Sequence, residues 1–160
     1  MNQTCPFLIR AEQIEASDDS ASHPWNPNSA MRGMHLSKQT GLTDTGISWV
    51  EVPPGKESCV YHLHYREDEW IYILSGSGTA EINDREYAVG PGDFMGFPAG
   101  KAAHHLRNTG SEPLRYLMGG SSKRFELADF PRLGRRVIRQ DGEIGVVKLS
   151  DISDFEADSP

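Results

Sequence analysis

His62-Leu63-His64 places two imidazoles two positions apart. In a strand, residues i and i+2 share a face, so both rings project side by side into whatever that face encloses. Glu69 follows His64 by five positions, an odd offset that would face the wrong way on a continuous strand. The polar stretch Tyr65-Arg66-Glu67-Asp68 can supply a turn, after which Glu69 opens a new strand facing inward, with Ile71 and Ile73 on its face. A third imidazole comes from His104, in a strand-like segment after the Pro98-Ala99-Gly100 turn. Three imidazoles and one carboxylate suit first-row divalent ions. Four protein ligands on an ion that prefers six leave two adjacent positions for water or substrate, an arrangement suited to catalysis. Taken singly, a histidine is more often a surface or hydrogen-bonded residue than a ligand, and spacing alone leaves both readings open.

Strands have to position these side chains, and the chain is patterned for them. Candidate strands cover residues 47–52, 58–64, 69–74, 79–83, 86–89, 94–97, 103–108 and 114–119, separated by turns rich in Gly, Pro, Asn and Asp. Short strands every 8–12 residues with such turns predict an all-β sandwich or barrel. Residues 1–35, with a Ser-rich acidic stretch and then Pro24 and Pro27, read as an extended arm anchored by Trp25. Residues 36–122 form the expected barrel core. Residues 123–160 read as a C-terminal extension packing on it, with one more strand at 145–149 and a frayed acidic end.

A chain of 160 residues suffices for one well-buried domain. With a net charge of −7 and scattered Lys and Arg, apart from Arg132-Leu133-Gly134-Arg135-Arg136, the sequence argues against nucleic acid as a partner. The longest apolar run, Trp70-Ile71-Tyr72-Ile73-Leu74, is far below the ~20 residues of a membrane helix, so no membrane partner is expected. The N-terminus shows no basic start followed by an apolar stretch, and Cys5 and Cys59 have no metal-type spacing. Free thiols and a cytoplasmic location follow as expectations.

Two longer patterns carry a resemblance. Gly55-x6-His62-x-His64-x4-Glu69-x6-Gly76 resembles the first cupin motif, and Gly92-x5-Pro98-x-Gly100-x3-His104-x3-Asn108 resembles the second. Each has one extra residue, before His62 and before His104, in turns where length is tolerated. The second addition raises a choice between His104 and His105. The family ligand stands four residues before the motif asparagine, which selects His104 and leaves His105 pointing outward. The resemblance implies a double-stranded β-helix (jelly-roll) barrel and a divalent ion such as zinc, manganese, iron or nickel on His62, His64, Glu69 and His104.

The fold does not choose the activity. Type II phosphomannose isomerases are similar in motif and barrel size, which suggests an isomerase or lyase stabilising an enediolate of a small sugar or sugar phosphate. An Fe(II)-type dioxygenase and a non-catalytic small-molecule-binding barrel are the alternatives. No general acid or base stands out. Arg66, Lys101, Lys56 and Arg115 are the candidates to meet a phosphate. Gly76, Gly92 and Gly100 read as turn glycines. Cys59, of opposite parity to His62, is expected on the exterior, and Glu67 and Asp68 as solvated turn carboxylates. Outward Trp70 and Tyr72 suggest a covered apolar face, hence a homodimer.

Overall fold

A computed structural model describes residues 5–153. Its strands are β1 (Asp19–Ala21), β2 (Met31–His35), β3 (Thr45–Val52), β4 (Leu63–His64), β5 (Glu69–Ser75), β6 (Gly78–Ile82) and β7 (Arg85–Val89). They continue with β8 (Phe94–Phe97), β9 (His104–Arg107), β10 (Leu114–Ser121), β11 (Phe125–Phe130), β12 (Arg135–Gln140) and β13 (Glu143–Lys148). Two single-turn helices, α1 (Ala11–Glu15) and α2 (Leu36–Thr40), lie among the first strands. Three antiparallel sheets result, in the orders β1-β2-β3-β10-β5-β8, β13-β12-β11-β4 and β7-β6-β9. The architecture is the all-β jelly-roll barrel type.

Period-two burial explains the packing. Along β5, Ile71 and Ile73 are 4% and 0% exposed while Tyr72 and Leu74 are each 40% exposed. The inward residues meet Val50, Val52, Phe97, Leu114 and Tyr116 of their own sheet and Ala80, Val89 and Leu106 of the three-stranded sheet in one apolar cluster. Full burial of such a side chain is worth about 1.5–3 kcal/mol, so this cluster holds the sheets face to face.

Turn chemistry sets the registers. Asn83 and Asp84 both take positive φ, 47° and 61°, joining β6 to β7 by the two-residue connection whose twist matches the strands. Asp141 and Gly142 do the same for β12 and β13, with φ of 51° and 91°. Gly76 has φ 80°, and a Cβ there would stand 2.4 Å from the Pro113 carbonyl oxygen, so glycine is required on both counts. Gly92 and Gly100 also have positive φ, as turn glycines should.

The structure departs from the sequence reading in places. Residues 58–62 are not a regular strand. They run beside β9 and touch it at separate points, Ser58 N–H donating to the Leu106 carbonyl at 3.0 Å and His62 pairing with His104. Strands β1 and β2 lie in the stretch expected as an arm and hydrogen-bond onward to β3. Trp25 does anchor that stretch, with its ring 5.1 Å from Phe130 and the Arg135 guanidinium 4.6 Å over it. Strands β11 and β12 were not anticipated, and they wall one side of the site. The acidic end, expected to fray, falls mostly in residues 154–160, outside the described residues.

Candidate metal centre

The four expected residues arrive from three directions. His62 and His104 form an antiparallel bridge, with His104 N–H donating to the His62 carbonyl at 2.8 Å and His62 N–H to the His104 carbonyl at 3.0 Å. Directly paired residues carry their side chains together, which brings the rings to 4.5 Å between centroids. His64, two residues on, shares that face. Its carbonyl accepts the Gly100 N–H at 2.7 Å, so the turn before His104 also ties down His64. Glu69 opens β5 in the opposing sheet, as the turn argument expected.

Their tips converge. One Glu69 carboxylate oxygen (Oε2) lies 3.2 Å from His64 Nε2, 3.2 Å from His104 Nε2 and 3.8 Å from His62 Nε2. His62 Nε2 and His64 Nε2 are 3.1 Å apart. His62, Glu69 and His104 form a group able to hold a metal ion, and His64 Nε2 points to the same centre.

The far sides of the rings fix which nitrogen is free. His62 Nδ1–H donates to the Val60 carbonyl at 2.7 Å and His104 Nδ1–H to the Ala102 carbonyl at 3.2 Å. A carbonyl can only accept, so each neutral ring presents the Nε2 lone pair to the centre. His104 Nε2 is buried without a hydrogen-bond partner, a cost that a bound cation would remove. Behind His64, the Glu126 carboxylate lies 3.4 Å from Nδ1. Phe97 stacks on His104 with centroids 3.7 Å apart and planes 3° apart, backing the ring from the core. The donor set and its orientation fit a first-row divalent ion.

Charge follows from this crowding. Burial would raise the Glu69 carboxyl, but the His104, His62 and His64 rings gathered around it hold it well below the usual carboxylate range. Burial opposes a proton on His62, yet the Cys59 thiol and the Glu69 carboxylate outweigh it and raise His62 to about 10. A metal ion entering the cluster therefore has a proton to displace.

Above the cluster opens a cavity of about 400 Å³, a size suited to a small molecule. Its walls are mainly apolar, with Ile71, Met118, Phe130, Val137 and Ile144 among them. Several expectations are corrected here. Cys59 is in the cavity wall rather than on the exterior, because the irregular course of residues 58–62 breaks the parity argument. Burial pushes its thiol up, but His23 and His62 beside it bring it down to about 6. Both Cys5 and Cys59 are free thiols. Glu67 is not a solvated turn carboxylate. It lines the cavity and accepts from Arg139 and from the Lys123 N–H. Asp68 is exposed, with one oxygen capping the Ala99 N–H at 2.8 Å.

His105, expected to point outward, is buried and counts among the cavity-lining residues, with its Nε2 3.4 Å from the Glu57 carboxylate that Asn26 and Asn28 hold. Arg66, Lys101, Lys56 and Arg115 are absent from the lining, and Arg115 is spent on Glu51. Sequence reasoning missed Glu126, Phe130, Val137, Arg139 and Ile144, all on β11–β13. The motif asparagine is structural. Asn108, 1% exposed, donates to the Val52 and Glu112 carbonyls and accepts from the Gly110 N–H, clamping the β9–β10 turn.

Fold and site together define a small jelly-roll barrel protein with a histidine–glutamate metal centre at the base of an open cavity. The Cupin domain model matches residues 48–120. A solved structure from Acidithiobacillus ferrooxidans, named as a candidate sugar phosphate isomerase, is 36% identical over 94% of this chain and 97% of its own, with a TM-score of 0.90. The chain belongs to the cupin superfamily. A sugar phosphate isomerase structure of that superfamily from Silicibacter pomeroyi is 26% identical over 80% of this chain and 82% of its own, with a TM-score of 0.72. Tetracenomycin polyketide synthase protein TcmJ of Streptomyces glaucescens is 27% identical over 79% of this chain and 80% of its own. An uncharacterised protein of Methanocaldococcus jannaschii is 35% identical over 41% of this chain, a match spanning only 51% of that protein's length.

Proposed function

We propose that this protein is a metal-dependent isomerase or lyase for a small sugar or sugar-phosphate-like substrate, working through an enediolate. The observation that carries the reading is the convergence of His62, His64, Glu69 and His104 under an open cavity. Likeness across nearly the whole chain to a candidate sugar phosphate isomerase supports it. In this reading those four residues hold one divalent ion. A bound ion there supplies Lewis-acid polarisation of adjacent substrate oxygens, the chemistry that favours an enediolate.

The chain itself supplies orientation and a largely apolar wall. The Val60 and Ala102 carbonyls fix the His62 and His104 rings, the Glu126 carboxylate faces His64 Nδ1 at 3.4 Å, and Phe97 backs His104. The apolar part of the wall lowers the polarity beside the ring cluster, which strengthens charge interactions there. The test is aldose–ketose interconversion followed by NMR on metal-loaded protein. Conversion that persists without oxygen and disappears in His62→Ala supports the reading. Conversion that is strictly oxygen-dependent contradicts it.

A second reading has one observation in its favour. The largely apolar cavity wall, together with likeness to a polyketide synthase protein, suits a less polar, enolic substrate, for which the alternative is an iron-dependent dioxygenase. Such an enzyme would be inactive with zinc, which has no accessible redox couple. For assembly we propose a homodimer. The exterior strip of Tyr72, Leu74 and Phe94, with Phe94 64% exposed and stacked near Trp70, supports it. Light scattering at twice the 17.8 kDa chain mass is the expected result.

A further inference from the structure

We infer that Arg139 reads an anionic group on the substrate, so that the ligand is a phosphorylated hydroxy-carbonyl compound rather than its neutral parent. The inference rests on the isomerase reading above and names the substrate class for the same cavity. Among the described residues, Arg139 is the only Arg or Lys in the cavity lining. It stands on β12, in the hairpin that rises beside the mouth, and its side chain is 35% exposed.

Its guanidinium is only partly engaged. Nη2 donates to Glu67 and to the Lys123 carbonyl, and neither Nε nor Nη1 has a protein partner among the described residues. The other arginines near the barrel ends are spent differently. Arg136 donates to Asp129 through both Nε and Nη2 and Arg132 is held by Glu81 and Asp84, while Arg115, engaged at Nε by Glu51, lies outside the cavity lining. A planar guanidinium with open donors is suited to phosphate recognition by paired hydrogen bonds.

The placement relative to the metal centre also fits. Glu67, the partner of Arg139, has a carboxylate oxygen within 4.8 Å of a His64 ring nitrogen. Arg139 and the ligand cluster line the same cavity, with Glu67 standing between Arg139 and His64. The hydroxy-carbonyl end then lies at the cluster, the carbon chain along Val137 and Ile144, and the anion at the mouth. The Glu67 carboxylate beside Arg139 opposes a second anion, which sets how tightly the anion is held.

The experiment measures binding to metal-loaded protein by calorimetry. The probes are ribulose 5-phosphate and dihydroxyacetone phosphate, each beside its unphosphorylated parent, with inorganic phosphate as a further probe. The wild type should prefer the phosphorylated compounds, and Arg139→Gln should lose at least ~10-fold of that preference, the usual worth of a hydrogen bond to a charged group. Arg139→Lys, which keeps the charge without the fork, should fall between and reads the same contact if the Gln variant disturbs the hairpin. Glu67→Gln should tighten phosphate binding.

Ketoses that bind only with metal, but equally with and without phosphate, overturn the inference and leave the isomerase reading standing. An Arg139-dependent phosphate preference with no metal dependence for the neutral ketoses upholds the inference and removes that reading. Identical behaviour of wild type and Arg139→Gln toward every probe, inorganic phosphate included, overturns the inference.

Discussion

Glu126 offers a sharp test of how the metal centre is held. It is 3% exposed, and its oxygens accept the Tyr65 N–H at 2.9 Å and the Arg66 N–H at 3.1 Å while facing His64 Nδ1 at 3.4 Å. Glu126→Gln keeps one acceptor oxygen for those backbone donors, so the turn between β4 and β5 should persist. What it loses is the negative charge behind His64, and its amide group can present a donor to the Nδ1–H. Removing such a partner from a ligating histidine costs about 10–100-fold in metal affinity. The 3.4 Å separation is longer than an ideal hydrogen bond, which places the effect near the lower end, about 10-fold or ~1.4 kcal/mol. Competition against a fluorescent zinc chelator reads this directly, and thermal melts of the metal-free protein read the turn. Unchanged zinc affinity with an unchanged metal-free melt would refute the reasoning.

Two further outcomes concern pH. Because Cys59 and Glu69 favour a proton on His62 before metal enters, binding displaces it and affinity should climb from pH 6 to pH 9; calorimetry in buffers of different ionisation heat measures the release, and an affinity that is flat across that range contradicts it. Glu51 accepts from Arg32 and Arg115, and its carboxyl is lowered, first by the Arg32 hydrogen bond. Its stabilisation is thus complete above the ordinary carboxylate value of 4.5 and is lost as pH falls through the lowered one. Glu51→Gln should cost roughly 1–2 kcal/mol at pH 7 and flatten the acid limb of the melting curve.

The ligand cluster was legible because period two is a rigid rule wherever the backbone is extended. His62 and His64 share a face, and Glu69 recovers the inward face once Tyr65–Asp68 is read as a turn. The same rule failed at Cys59, where the chain touches β9 only at separate points and parity has no meaning. The opposite wall was readable in part. Asp141-Gly142 is a strong hairpin signal, and it sits between Arg135–Gln140 and Glu143–Lys148, whose alternation is blurred by charged residues on both faces. Those charges mark a sheet edge and a cavity mouth rather than a core, so hydrophobic pattern could not reveal them. Arg139 was hidden for the same reason. Nothing in its neighbourhood distinguishes it from Arg66 or Arg115 until β12 pairs with β11 and turns it over the cavity.

The metal content of the purified protein tests the central claim most directly. Elemental analysis after exposure to zinc, manganese, iron or nickel should give one divalent ion per chain in the wild type and a loss of most of it in the His62→Ala/His64→Ala double variant, with His105→Ala unaffected. Full occupancy in the double variant, or none in the wild type with any of the four metals, would contradict the account.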